Sequence, residues 1–427
     1  MHPPLPEGLL EIVEGENMER YDRVVVVGAG LAGVSAADAL RDQGHSGTIT
    51  LIGAEDRLPY DRPPLSKAAL LDDPRPPEEQ LRPEPFYTDR EVTLRLGVPA
   101  TRLLPSEGAV ELADGAIIAA DAVLLCTGGT PRALDVPGSA LEGVCTLRTA
   151  EDAARIRGYL ERGGPVVVVG GGFIGTEVAA AASARGCPTT VIEAAELPML
   201  RALGADVAAR LTEAHRGRGV TVRTGVGVRG FAGEGQVREV LLDDGSALPA
   251  DLVVVGVGMA PETRLATGAG IAVHDGVHVD ARGRTSNPSV WAAGDVAARA
   301  AADGTRRRVE HWQNARDQGA ALARSVLGTG TAAVAAVPWF WSDQYDLNIQ
   351  LAGHPDPGDA RSWRGDPDAL SFSVLHHRGG VLTGITAVNR GRDVRPAMEL
   401  IRSGTVLDAA LLADPAVTVK QLLKSAR

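Results

Sequence analysis

Arg23–Gly33 reads RVVVVGAGLAG, and Pro165–Gly175 reads PVVVVGGGFIG. Each is a buried-type strand that breaks into G-x-G-x-x-G and continues as a helical segment, over Val34–Asp42 and Thr176–Arg185. A glycine closes each helix, Gly44 or Gly186, and a second strand follows, Thr48–Ile52 or Thr189–Ile192. That is one βαβ unit written twice. A single glycine pattern of this kind is a weak signal; two copies in full context predict two dinucleotide sites. Glycine is needed for three separate reasons. The first, Gly28 or Gly170, permits the tight turn. The second, Gly30 or Gly172, lets the backbone approach a pyrophosphate. The third, Gly33 or Gly175, lets helix and strand pack closely. The helix N-terminus after each loop, at Leu31 and Ala32 in the first, offers free N–H groups and a dipole that favour phosphate.

The acids that follow the loops differ. Glu193 ends the strand TTVIE and is followed by Ala194 and Ala195, with no arginine. A carboxylate there takes the ribose hydroxyls, whereas sites for a 2′-phosphate use arginine. Charge repulsion of up to about 4 kcal/mol at ~4 Å and an effective dielectric near 20 would reject the phosphate. The expectation is NADH rather than NADPH. In the first unit the strand runs into Gly53, Ala54 and Glu55, so the acid comes late. Glu55 is the residue that could still reach a ribose.

Later runs close both units. Asp121–Cys126 leads into Thr127-Gly128-Gly129, Asp251–Val255 into Gly256-Val257-Gly258, and Val290–Ala293 into Gly294-Asp295. Hairpin signals at Asp114-Gly115 and Asp244-Gly245 suit small antiparallel crossovers. Beyond about residue 336 the texture changes. Pro338–Tyr345 reads PWFWSDQY, strand-like pieces follow at Ile349–Ala352, Leu370–His376 and Val381–Thr386, and helical ones at Val394–Ser403 and Asp408–Leu412. The expected fold is α/β: two Rossmann-like dinucleotide-binding domains plus a C-terminal α+β domain. The expected partition is 21–135 with 260–335 for one cofactor, 136–259 for the other and 336–427 for the C-terminal domain. Residues 1–20 read as a disordered extension without the apolar stretch of a signal peptide.

The chain has 427 residues and a net charge of −11, which argues against a nucleic-acid partner. No apolar run approaches the ~18 residues of a membrane span. The three cysteines, Cys126, Cys145 and Cys187, show no metal-binding spacing and fit a reducing cytoplasm. Cys126 follows a buried apolar run and reads as an inert core thiol. Lysine occurs only at Lys67, Lys420 and Lys424, so Lys67 stands out.

The segment Leu58–Leu70, LPYDRPPLSKAAL, completes a resemblance. With GAGLAG, GGGFIG, LRTAED, WAAGDVA and PWFWSDQY, the chain resembles the FAD-dependent ferredoxin and rubredoxin reductases, of the putidaredoxin reductase and dioxygenase reductase type. The resemblance runs from about Asp22 to Leu423 and implies the glutathione-reductase fold. It places FAD at the first loop and the nicotinamide cofactor at the second. It implies that Asp295 holds the ribityl chain, that Arg62, Lys67, Thr127, Gly128, Arg148 and Gly294 belong to the flavin site, and that Val98 is an adenine-side backbone contact. Glu310, His311 and Trp312 would line the pyrimidine edge, with Trp312 covering the ring where nicotinamide lands. The nicotinamide loop would carry Gly171, Phe173, Ile174 and Glu177, with Gly258 closing the far side.

Lys67 and Glu177 are the expected catalytic pair. A cation near a flavin stabilises the charge of its reduced form. A buried lysine needs a partner, because desolvation disfavours its charged form. Glu177, two residues past the second loop, would supply it. The alternative is a solvated acid favoured by the helix dipole.

Residues Gly28 to Lys67 contain no cysteine. Electrons therefore cannot leave by thiolate exchange, and a protein carrier is the expected acceptor. The reading is hydride transfer from NADH to FAD, then single electrons to an iron–sulfur ferredoxin that feeds an oxygenase. The chain is expected to act as a cytoplasmic monomer or weak dimer, with no metal of its own. Docking would use Arg306-Arg307-Arg308, Arg316 and Arg324; a solvated loop is the plainer account of the arginine run. A rubredoxin reductase, an NADH-responsive sensor resembling apoptosis-inducing factor, and an oxygen-using flavin monooxygenase remain open.

Overall fold

The computed structural model describes residues 21–72, 78–300, 304–330 and 337–426. The expected extension over residues 1–20 and the boundary at residue 336 lie outside these.

Two five-stranded parallel sheets repeat one plan. The first runs, in spatial order, Val290–Ala292, Ala122–Leu125, Arg23–Val27, Thr48–Ile52 and Val92–Arg95. The second runs Thr221–Thr224, Thr189–Glu193, Val166–Val169, Leu252–Val255 and Val144–Cys145. Their central strands are covered on both faces, which is why they read as unbroken valine runs. Each sheet is followed through its own three-stranded antiparallel piece, residues 100–119 or 228–249, built on the two expected hairpins. The chain leaves the first sheet along Gly129–Pro131 and returns antiparallel to it along Met259–Pro261.

The helices after the glycine loops are Leu31–Asp42 and Phe173–Ala184, each starting three residues earlier than expected. The reason is local. Gly30 and Gly172 are extended N-caps, so the third glycine of each loop already lies in the first helical turn. It sits there because a side chain cannot: a Cβ on Gly33 would lie 2.0 Å from the Gly28 carbonyl oxygen, and one on Gly175 2.1 Å from that of Gly170.

The C-terminal part is a five-stranded antiparallel sheet in the order Trp339–Gln344, Leu347–Gly353, Val381–Val388, Ser371–Arg378, Ala360–Asp366. One face packs on the helix Val394–Ser403 and the helical turns after it through Leu375, Ile385, Ala397 and Leu400. The other packs through Leu347, Ile349, Phe372 and Val388 on Leu203, Val207 and Leu211 of the helix Leu200–Arg216. The C-terminal sheet is thus mounted on the second Rossmann-like unit. Among the described residues no helix is long and apolar enough to cross a membrane.

Candidate active site

Both glycine loops have the geometry that phosphate binding requires. Gly28 has φ +114°, and a Cβ there would fall 2.2 Å from the Cys126 carbonyl oxygen. Gly170 repeats this, with φ +101° and 2.4 Å to the Gly256 carbonyl oxygen. Gly30 and Gly172 have nothing within 4 Å of the Cβ position. Each caps a twelve-residue helix with no side-chain cap and no acid in the first turn. The free N–H groups therefore face open space at the end of a parallel sheet, where a pyrophosphate fits. At the second loop Ile174 is 46% exposed and Val257 36%, so both lips offer apolar surface.

Around the first loop lie the residues expected at a flavin. Gly294 has φ +77°, its N–H bonds Gln318 Oε1 at 3.0 Å, and a Cβ on it would meet Ala32 Cβ at 3.0 Å. Next to it, Asp295 Oδ2 is 3.7 Å from the Arg148 guanidinium. Burial raises the Asp295 pKa and lowers that of Arg148, while their opposite charges resist both shifts. Arg148 also lies 3.1 Å from the Cβ position of Gly128, and Arg62 donates to the Arg148 carbonyl at 2.5 Å. Thr127 Oγ1 donates to the Glu262 carbonyl, holding the turn against the returning chain. Val98 is half-buried against the core of this unit. Glu310 pairs with Arg308 at 2.6 Å. Trp312 donates from Nε1 to Asp61 Oδ1 at 2.8 Å. His311 lies against Phe340, and burial together with nearby His354 pushes its pKa down to about 4. Its Nδ1 is buried without a hydrogen-bond partner among the described residues, as expected of a group left to meet a cofactor.

Glu55 accepts from Tyr60 Oη at 2.6 Å and from Arg62 at 2.8 Å, and lone pairs remain for a hydroxyl donor. Ala54, where the acid would ordinarily be, is exposed. The carboxylate that comes late in sequence also braces Arg62. The arginine run divides. Arg308 is consumed by Asp275 and Glu310, and Arg306 is fixed on the carbonyls of Val279 and Ala298. Arg308 is thereby largely covered, whereas Arg306 and Arg307 stay exposed on the hairpin.

The second loop holds Glu193 as expected at a strand end. Its carboxylate accepts from the N–H of Gly171 at 2.7 Å and of Ala195 at 2.8 Å, and lone pairs remain for hydroxyl donors. Gly258 has φ +109°, and its carbonyl accepts from the N–H of Arg132. Phe173 packs on Phe340 with centroids 4.6 Å apart.

Lys67 and Glu177 meet across the two units, Nζ to Oε2, at 2.9 Å. Glu177 is the fifth residue of its helix and only 2% exposed, so it is not a solvated helix acid. Its carboxylate also accepts from Ser66 Oγ, and from Ser342 Oγ at 2.6 Å. Sequence reasoning missed Ser66 and Ser342. A hydroxyl carries no signal until its partner is known.

The three cysteines are buried, and burial pushes the Cys126 thiol up to about 12, as an inert core thiol should be. Among the described residues no cluster of His, Cys, Asp or Glu could hold a metal.

Residues 22–319 match the family of pyridine nucleotide-disulphide oxidoreductases, and residues 339–423 match the reductase C-terminal domain. The chain belongs to this oxidoreductase family. It is 40% identical to rhodocoxin reductase of Rhodococcus erythropolis over 92% of each chain. It is also 40% identical to the ferredoxin–NAD(+) reductase component of the anthranilate 1,2-dioxygenase system of Burkholderia cepacia, over 94% of this chain and 99% of that one. A solved covalent complex of putidaredoxin reductase with putidaredoxin superposes with a TM-score of 0.89 at 34% identity, covering 95% of this chain and 99% of that one. The family resemblance and the expected two-unit α/β fold with its C-terminal domain both hold.

Proposed function

We propose that this protein oxidises NADH and passes the electrons singly to an iron–sulfur ferredoxin serving an oxygenase. FAD bound at the first loop supplies the hydride-accepting and one-electron-donating chemistry. The observation that carries the reading is the buried Lys67–Glu177 pair. It joins the two glycine-loop units at one point, in a region whose sequence from Gly28 to Lys67 contains no cysteine. The ammonium stands where a cofactor gaining electrons needs a fixed positive charge. The relatives, named as reductases of ferredoxin or oxygenase systems, support the same acceptor.

In this reading residues 21–135 with 260–335 hold FAD, 136–259 hold NADH and 336–427 form the C-terminal domain. The backbone from Gly28 to Gly33 takes the FAD pyrophosphate, including the N–H groups of Leu31 and Ala32. Asp295 takes the ribityl chain, Arg62, Lys67 and Arg148 face the ring system, and Glu310-His311-Trp312 line its pyrimidine edge. Gly170 to Gly175 take the nicotinamide dinucleotide, with Glu193 on its ribose and Gly258 opposite. Glu55, beside Ala54, keeps lone pairs for the FAD ribose while it holds Tyr60 and Arg62.

An anaerobic titration of the purified flavoprotein tests this. NADH should bleach the flavin band at one equivalent. NADPH should bind at least about tenfold more weakly, because Glu193 would face its 2′-phosphate. Equal rates with both cofactors at equal low concentration would remove Glu193 from its role.

For docking we propose two exposed arginines, Arg307 and Arg316. Arg316 lies over the Trp312 ring at 5.3 Å and pairs with Asp317 at 2.8 Å. Arg307→Glu with Arg316→Glu should raise KM for ferredoxin about tenfold or more at low ionic strength and flatten its salt dependence. NADH oxidation by ferricyanide serves as the internal reference. A second cationic surface, missed in the sequence, is a cleft of about 780 Å³ where Arg390, Arg392, Arg395, Lys420 and Lys424 outnumber Asp393 and Glu399. If Lys420→Glu with Lys424→Glu raises that KM and the arginine pair does not, docking belongs to the cleft.

A further inference from the structure

Behind the Lys67–Glu177 pair, a line of buried polar side chains runs into the C-terminal sheet. Ser342 Oγ donates to Glu177 Oε1 at 2.6 Å. Gln344 Nε2 donates to Ser342 Oγ at 3.1 Å and to Thr176 Oγ1 at 2.9 Å. His215 Nε2 lies 2.8 Å from Gln344 Oε1, and Tyr345 Oη lies 3.2 Å from His215 Nδ1. Thr176, Glu177, His215, Ser342 and Gln344 are each at most 2% exposed. Buried polar groups in such numbers are costly unless every one is satisfied.

Chemistry fixes the direction of this line. Thr176 spends its own proton on the carbonyls of Gly172 and Phe173, so towards Gln344 it can only accept. The amide nitrogen of Gln344 therefore faces the two hydroxyls, and its oxygen faces His215. That oxygen has no proton to give, so His215 must carry a proton on Nε2. Burial, aided by Arg218, lowers the His215 pKa and favours the neutral ring, whose Nδ1 then accepts from Tyr345. Every donor from Tyr345 onward points at the Glu177 carboxylate. An amide in the middle cannot hand a proton along, so the line orients and does not conduct.

We propose that Gln344 is a positioning residue for the hydride site. Through Ser342 it fixes the Glu177 carboxylate, and through that the Lys67 ammonium, while His215 as its Nε2–H tautomer holds the amide in register. The C-terminal sheet, mounted on the helix that carries His215, thereby sets the placement of a cation in the opposite unit. This rests on the reading of Lys67 and Glu177 as facing the cofactors.

Three measurements on the holoprotein test it. Nitrogen-15 NMR of labelled histidine should show His215 protonated on Nε2 and bare on Nδ1. Gln344→Met keeps the length but loses the amide. It should slow hydride transfer at saturating NADH about tenfold or more, as misplacement of a reacting group does. The dissociation constant for NADH should change much less, and the flavin midpoint potential should fall. His215→Leu should do the same in weaker form, and His215→Gln, whose amide can donate from the same place, should recover most of the rate. Lys67→Met separates the two levels of the argument. If it abolishes hydride transfer while Gln344→Met leaves rate and midpoint unchanged, the positioning role is wrong and the site stands. If Lys67→Met is itself without effect, the site reading fails first. A His215 ring protonated on Nδ1 alone overturns the proposal even if no variant folds.

Discussion

Replacing Glu177 with leucine is expected to slow hydride transfer from NADH at least about 100-fold, the scale of loss when a reacting group shifts by an ångström. It is also expected to lower stability by about 3–5 kcal/mol, the usual result of stripping one partner from a buried ion pair. Glu177 is only 2% exposed, and its two oxygens accept from Ser66, Lys67 and Ser342. Leucine fills the volume but leaves two hydroxyls without this acceptor and the ammonium, which also reaches the Pro63 carbonyl at 3.3 Å, without its counter-ion. Glu177→Gln separates the two effects. It keeps one carbonyl acceptor, so denaturant unfolding should show a smaller loss of stability, while stopped-flow reduction stays slow because Lys67 has lost its counter-ion. A Glu177→Leu protein that reduces its flavin at the wild-type rate would remove the pair from the chemistry.

The second large effect contrasts two glycines of one loop. Gly28→Ala should fail to give a folded flavoprotein. Its Cβ would sit 2.2 Å from the Cys126 carbonyl, at a φ of +114° that alanine rarely adopts, and neither backbone can move without opening the parallel sheet. Gly30→Ala should fold, because nothing lies within 4 Å of its Cβ position. It should nevertheless bind FAD weakly, since that methyl occupies the approach reserved for the pyrophosphate. Far-UV circular dichroism and flavin content, measured together, check the contrast. Gly30→Ala with full flavin occupancy would show that the pyrophosphate does not approach there.

These two glycines also show what sequence makes legible. Gly28 and Gly30 are fixed by a local turn and by the start of a helix, both encoded within eleven residues. The doubling of the unit and the strand-end position of Glu193 were readable for the same reason. Long-range partners were not. The edge strand Ala360–Asp366 has too few apolar residues to announce itself and exists because Ser371–Arg378 pairs with it. The helix Leu200–Arg216 carries a break at Gly204, where φ is +73°, that interrupts its periodicity. Nothing in LIGAEDRLPYDR says that Tyr60 and Arg62 fold back onto Glu55. Arg308 looked like docking surface because one of its partners, Asp275, lies 33 positions away, and the pairing with nearby Glu310 is set by the fold. Ser342 and Gln344 were visible only as part of an aromatic-rich segment. Their chemistry depends on residues more than a hundred positions away, Glu177 and His215.

The central claim is that electrons enter from NADH and leave the protein to a ferredoxin. Its most direct test is NADH-dependent reduction of cytochrome c by the purified flavoprotein, with and without an added iron–sulfur ferredoxin from an oxygenase system. The account predicts slow reduction by the flavoprotein alone and a steep, saturable increase on adding ferredoxin, with NADH far ahead of NADPH. If NADH reduces the flavin but the electrons stay in a long-lived reduced complex that no ferredoxin discharges, the account is contradicted and an NADH-responsive sensor takes its place.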